Sequence, residues 1–412
     1  MKIEFQKGKV ERVVERAAFH YYKGWYEGKG FFSWDPAVGF RLQATVDRQT
    51  NPLKGFGIGR SGVIRDDERR YVRLGLQGGG QGVIPRIPLV DRSDVLMGGY
   101  LDLRFSRLHL FRPKGGNLGS SAAIGEVILA GFGARPYLTD VVATRKRVGS
   151  ARSLPSWSRD ALEFADKAGL RVRGERSSED PGQFRLGWSL GSRISKTGTI
   201  WSLPSALAYA LTFVCGRRIT PIESVTYSRS WQRQMVTLRP SPTDFGALAL
   251  HDTEFMDGPL LAHLCKFFYR GGPEAEVARK LVDQVAEAAR QQTWEASELL
   301  VATALEAALR TIHGEPFQPK EKRQWRADAS MARFRAKYLT SEWRRTCNDV
   351  LAVWRRLRHR NAHPSWLVAT ERTAARAQSD LSDMGMLTRF YGAMILAMSG
   401  RPVSPHLNVP RL

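Results

Sequence analysis

The sequence predicts an α+β multidomain protein, with a β-rich domain over residues 1–255 and an all-α helix bundle over 256–412. Three observations predict it. Before about residue 255, Gly, Pro and Ser break the chain into short runs that read as strands. From Asp257 onward, apolar residues recur at spacings of three and four. With 412 residues, 42% of them hydrophobic and 10% aromatic, the chain can bury more than one core.

The strand runs are Phe40–Val46, Arg70–Leu76, Tyr100–Phe105, Leu108–Phe111, Glu126–Gly131 and Gln234–Leu238. Two stretches among them read as helices. Trp157–Ala168 would open at Ser158, with Leu162 and Phe164 on its apolar side. Pro204–Cys215 would end at Gly216, a residue suited to the left-handed turn after a helix. In the second half, Leu260–Tyr269 stops at Gly271-Gly272. Pro273 then occupies a favoured first-turn position, and Val277, Leu281, Val285 and Ala288 follow on one face. Glu295–Ile312 is expected to bury Leu299, Thr303, Leu305, Leu309 and Ile312 before Gly314 closes it. Ala329–Tyr338, Ser341–His359, Leu367–Ser379 and Asp383–Met398 complete a bundle of about six helices.

Lys and Arg number 63 against 40 Asp and Glu, a net charge of +23 with a pI near 10.4. Such a surplus suits a polyanion, because each phosphate neutralised by Lys or Arg releases condensed counterions. Cys215, Cys265 and Cys347 lie far apart with no CxxC pair, so neither a structural zinc nor a disulfide framework is expected, in keeping with a reducing cytosol. No apolar run reaches the roughly 18 residues that span a bilayer. The N-terminus lacks the apolar stretch of a secretory signal. A cytoplasmic protein without a membrane partner is expected.

The chemistry concentrates at Trp354-Arg355-Arg356-Leu357-Arg358-His359-Arg360-Asn361-Ala362-His363-Pro364. On the helix leading into it, Trp343, Cys347, Val350, Leu351, Trp354 and Leu357 form one stripe facing the core. Arg358 follows Trp354 by four residues and projects toward the same seam. Pro364 disfavours helical geometry at His363, and the resulting turn would fold the imidazole back toward Arg358.

Arg358 through His363 resembles the R-x4-6-H signature of the HEPN superfamily, placed late in a helical bundle as that family has it. The family commonly has a polar residue, often Asn, after the arginine, and here that residue is His359. The helix Glu295–Ile312 and the aliphatic stretch Leu387–Met398 resemble the HEPN domains of ApeA-like anti-phage proteins, which also carry a larger N-terminal domain. The resemblance covers about residues 257–400. Over 1–255 it rests on architecture and on Phe213–Arg218.

The resemblance implies a metal-independent endoribonuclease that needs no cofactor and acts in anti-phage defence, abortive infection or as a toxin. The RNA's own 2′-hydroxyl would be the nucleophile. His363 would move the proton, Arg358 would hold the scissile phosphate, and His359 and Asn361 would assist. It further implies a homodimer through the C-terminal bundle, with two motifs meeting in one site, and an unknown activating ligand or phage component sensed by the N-terminal domain. Arg355, Arg356 and Arg360 are candidate RNA contacts. Asn361 either bonds the phosphate or caps the turn. Glu306 either orients Arg358 from a facing helix or stands in solvent. From Lys320 to Arg376 there are 15 basic and 5 acidic residues, a surplus of ten. The alternative reading is a catalytically silent bundle that binds RNA or dimerises beside a ligand-sensing N-terminal domain.

Other signals carry less. Gly57–Gly62 satisfies GxGxxG, but the charged stretch Arg65–Arg70 after it cannot form the long apolar helix a dinucleotide fold requires. Gly78-Gly79-Gly80 reads as a hairpin turn. Lys114-Gly115-Gly116 lacks the ending of a phosphate-binding loop. Asp66, Asp67 and Glu68 read as a solvated turn. Phe19 to Tyr26, with Phe31, Phe32 and Trp34, would build a sheet core in preference to stacking bases.

Overall fold

A computed structural model describes residues 9–21, 24–35, 38–49, 71–77, 80–85, 100–105, 107–113, 123–132, 138–139, 161–166, 169–177, 180–191, 202–227, 231–238, 243–251, 255–256, 258–314, 326–362 and 374–405. The chain builds a large antiparallel sheet from its first half and helices in its second. By compactness it divides into two units. One holds residues 1–130, 185–192 and 221–240, and the other 131–184, 193–220 and 241–412.

The strands are β1 (Val10–Tyr21), β2 (Gly24–Asp35), β3 (Gly39–Gln49), β4 (Tyr71–Leu76), β5 (Gly80–Pro85), β6 (Tyr100–Phe105), β7 (Arg107–Pro113), β8 (Ala123–Ala130), β9 (Leu138–Thr139), β10 (Ala161–Ala165), β11 (Leu170–Arg176), β12 (Gln183–Leu190), β13 (Thr220–Tyr227), β14 (Trp231–Thr237) and β15 (Phe255–Met256). In the first unit they lie in the order β12-β8-β13-β14-β7-β5-β4-β1-β2-β3-β6. Pairs from β13 through β6 are antiparallel.

Alternation sets its two faces. Along β3, Phe40, Leu42, Ala44 and Val46 are buried, and with Phe32, Trp34, Leu74, Leu103, Leu110 and Val236 they belong to one apolar cluster. The residues between them face the other way, where Arg41 donates from Nε to Asp102 at 2.8 Å. A register shift in β1 between Val14 and Ala17 leaves Ala17 and Ala18 both fully buried. β2 and β3 approach too closely for side chains at two points. A Cβ at Gly28 would lie 1.9 Å from the Thr45 oxygen, and one at Gly30 would lie 1.9 Å from the Gln43 oxygen. Of the aromatic cluster, Phe32 and Trp34 are core while Phe31 is exposed; the side chains of Phe19 to Trp25 lie outside the described residues.

The second unit contains the hairpin β10–β11, the short parallel pair β9–β15, and helices α1 (Leu203–Cys215), α2 (Gly258–Arg270), α3 (Pro273–Ala288), α4 (Trp294–Ile312), α5 (Ala327–Tyr338), α6 (Arg344–Ala362) and α7 (Ala374–Met398). α1 ends at Gly216, whose φ of 59° is left-handed. Gly271 and Gly272, at φ 73° and 97°, make the turn between α2 and α3. Thr293 caps α4, its hydroxyl accepting from the Ala296 amide. α4 is clamped from two sides, since Trp354 Nε1 donates to the Ala302 carbonyl at 3.0 Å and the Tyr391 hydroxyl donates to that of Val301.

Three expectations are corrected. Residues 161–165, expected within the helix Trp157–Ala168, form β10, with Leu162 and Phe164 inward and Ala161 paired with Glu175. Residues 151–160 and 167–168 lie outside the described residues. Leu162 and Phe164 suggested the apolar side of a helix opened at Ser158, but two inward residues spaced by two fit a paired strand, and pairing overrides a helical propensity of a few tenths of a kcal/mol per residue. On α4, Leu299 and Thr303 are exposed and the buried side is Val301, Ala302, Leu305, Ala308 and Leu309. The expected break between Ser379 and Asp383 is absent, because α7 runs unbroken from Ala374 with Asp380 buried. Residues 363–373, including most of the expected helix start at Leu367, lie outside the described residues, as do Gly57–Gly62, Asp66–Glu68 and Lys114–Gly116. β4 and β5 pair as a hairpin, Leu76 opposite Gly80. No described helix is long and apolar enough to cross a membrane.

Candidate active site

Arg355 through Asn361 lie on the last turns of α6. Trp343, Cys347, Val350, Leu351, Trp354 and Leu357 are all buried, so one face of α6 is fixed in the helical core and the residues at its end take defined directions. Arg358, one turn beyond Trp354, lays its guanidinium over the indole, 5.2 Å from the ring centroid. Its Nη1 reaches Glu306 Oε2 on α4 at 2.6 Å. The second Glu306 oxygen is taken by Arg310, one turn along α4, at 2.8 Å.

Glu306 is thus shared by two arginines, and the triad carries a net single positive charge. The carboxylate is 15% exposed, whereas the Arg358 side chain is 46% exposed. A guanidinium has five N–H donors. With Nη1 turned to Glu306 and the flat face on Trp354, an open edge remains for an anion. Arg310 and the Trp354 platform were not singled out by the sequence reading. The signal was present as two four-residue spacings, Glu306 to Arg310 and Trp354 to Arg358, which bring side chains together on a helix.

Arg355 donates to both Asp328 oxygens, at 2.7 and 2.6 Å. Arg356 makes a two-point contact with Asp383, at 3.1 and 2.7 Å. These two arginines therefore tie α6 to α5 and to α7. His359 is exposed on the turn that carries Arg358. Arg360 and Asn361 occupy the final turn of α6, their side chains outside the described residues, and His363, one residue past the end of α6 at Ala362, lies outside them altogether. The structure thus brings together Arg358, Glu306, Arg310 and Trp354.

The three cysteines are free thiols, and among the described residues no three His, Cys, Asp or Glu side chains gather as a metal site would require. Comparison of the chain with protein families, with curated proteins and with solved structures finds no match.

Proposed function

We propose that the chain is a metal-independent endoribonuclease of the HEPN type, working through Arg358 and His363. The observation that carries this reading is the setting of Arg358: its head is fixed by Glu306 and Trp354, yet it is half exposed at the helix end that leads directly into Asn361 and His363. A cation oriented before substrate arrives and still open on one edge suits charge developing on phosphate oxygens. His363 would take the 2′-hydroxyl proton or protonate the 5′-oxygen leaving group, with His359 and Asn361 assisting. Two such motifs meeting in a homodimer of the C-terminal helices would supply both an acid and a base. The anti-phage or toxin role, with its activating ligand, belongs to the same proposal.

The ion pairs of Arg355 and Arg356 favour a second reading, in which the bundle binds RNA or pairs with itself without cutting. One experiment separates the two. Total RNA is incubated with the purified protein in EDTA, and the products are compared for wild type, Arg358→Ala and His363→Ala. The nuclease reading expects EDTA-resistant cleavage leaving 2′,3′-cyclic phosphates. It expects His363→Ala to lose about a hundredfold or more in rate with RNA affinity nearly kept, and Arg358→Ala to lose both. RNA bound but intact in the wild type would instead establish the silent bundle. Light scattering of a dimer is expected alongside; an active monomer would refute the two-motif site.

A further inference from the structure

One face of α4 is exposed. Its buried side is Val301, Ala302, Leu305, Ala308 and Leu309. Away from it, Leu299, Thr303, Ala307 and Thr311 are all exposed and recur every fourth residue, a ridge about 18 Å long. Among the described residues, Leu299 is the one large hydrophobic side chain exposed in the second unit. An exposed leucine is ordinary by itself, but its neighbours are not. The Thr303 hydroxyl donates to the Leu299 carbonyl at 2.8 Å, and the Thr311 hydroxyl to that of Ala307 at 2.7 Å. Both hydroxyls are satisfied inside the helix, which leaves the methyls as the outward groups. Covering the ridge would remove apolar surface from water without stranding a polar side-chain atom of it.

The ridge is complementary to itself, as a contact between identical copies requires. It carries one large side chain, Leu299, followed by the small side chains of Thr303 and Ala307. In an antiparallel pair of α4 helices, each Leu299 meets the small stretch of the other copy, where the backbones can approach closely. In a parallel pair Leu299 would meet Leu299 and the small residues would face one another across a gap. Charge favours the same arrangement. α4 has Glu295 in its first turn and Arg310 in its last. Antiparallel crossing brings the Glu295 end of one copy toward the Arg310 end of the other, whereas parallel crossing sets like charge against like.

We infer that α4 is the contact face of a homodimer, in which two copies cross antiparallel and Leu299 of each seats on Thr303 and Ala307 of the other. The twofold axis then passes beside Thr303. Glu306, which holds Arg358, lies within about five residues of that axis, so the two Arg358–Glu306 pairs come within roughly 15 Å of each other along the helices. Joining them in one RNA-cutting site rests on the ribonuclease reading; the contact itself does not. One helix pair makes a small contact of the transient class, so the dimer should dissociate at about 1–100 µM. In the ribonuclease reading, the activity of dilute protein then rises with the square of its concentration.

Sedimentation equilibrium of the full chain tests it, beside a crosslinking series. Wild type should dimerise in that range. Leu299→Glu, at an exposed position, should keep the melting temperature and weaken association about tenfold or more. Thr303→Cys copies should join to each other through a short bismaleimide. Glu295→Cys copies, held about 18 Å or more apart by the antiparallel crossing, should not. Should Leu299→Glu unfold, the crosslinks decide. The inference is overturned if wild type stays monomeric to about 500 µM, if Leu299→Glu associates like wild type, or if Thr303→Cys copies do not join. Joining at both positions overturns the antiparallel arrangement. A dimer joined at position 303 that leaves RNA intact supports the contact and refutes the ribonuclease; RNA cut by a monomer does the reverse.

Discussion

Glu306 shows how one residue can decide the geometry of a site. Its carboxylate is nearly buried, with Arg310 19% and Arg358 46% exposed, so it holds two arginines of unequal freedom. Glu306→Gln keeps the shape but removes the carboxylate charge that Arg310 and Arg358 share. Breaking a fully buried pair costs about 3–5 kcal/mol and an exposed pair under about 1. The intermediate setting points to a loss of about 1–2 kcal/mol in urea denaturation, and a change under a few tenths would show solvent already screening the triad. A second carboxylate gives a pH signature. Glu274 is held below the ordinary carboxylate range chiefly by its own backbone amide at the start of α3, then by the Tyr338 hydroxyl at 2.9 Å and the Lys337 charge. Because the folded state favours the charged form, its contribution is complete above about pH 4.5 and fades as pH falls through the lowered value. Glu274→Gln should therefore cost about 0.5 kcal/mol at neutral pH, with the difference from wild type vanishing in acid. A gap that widened in acid would reverse the assigned sign.

At the level of elements, packing can reverse what helical preference alone dictates. Replacing a glycine inside a helix with alanine ordinarily gains about 0.5–1 kcal/mol. On α7, a Cβ at Gly392 would lie 1.9 Å from the Leu250 carbonyl oxygen, whereas one at Gly385 would lie 3.3 Å from that of Ala247. Gly392→Ala should accordingly destabilise by about 2–3 kcal/mol, because the obstacle is backbone and overpacking exceeds the propensity gain. Gly385→Ala should stay within about 0.5 kcal/mol of wild type, and thermal melts of the two variants give the comparison directly. The same competition explains what the sequence could and could not disclose. Long helices with a repeating apolar face, such as Val277, Leu281 and Val285 on α3, were legible because the period recurs over several turns. Ala161–Ala165 was not, since five residues rich in Ala, Leu and Glu carry two inward positions, and only pairing with β11 settles their geometry. Leu299 was misplaced on α4 because exposed and buried leucines look alike until Trp354 and Tyr391 fix which side of the helix faces inward.

For the molecule as a whole, the change of character near residue 255 marks where strands give way to helices, but compactness follows a different line. The second unit joins the C-terminal helices to α1 and the β10–β11 hairpin, which lie up to about a hundred residues earlier in the chain. Local periodicity carries no record of such a partnership, which is made by contacts distant in sequence. α1 is buried nearly all round, with Leu203, Leu207, Leu211 and Phe213 fully covered, and it packs along α2. The Tyr209 ring lies 5.5 Å from that of Phe268, and Asp283 on α3 accepts from the Tyr209 hydroxyl at 2.9 Å and from Arg218 just beyond α1. A fragment of residues 256–412 would lose this cover from an α2 whose Leu260, Leu261, Leu264 and Phe268 are buried. Each such side chain returned to water forfeits about 1.5–3 kcal/mol, so uncovering even three of them matches the roughly 5–15 kcal/mol by which a domain is stable. Expressed alone, the fragment should keep much of its helical circular dichroism yet bind a hydrophobic dye and melt without a cooperative transition, while a fragment beginning near residue 200 should regain a sharp melt. A cooperative melt of 256–412 near the temperature of the full chain would show that the helices stand without α1.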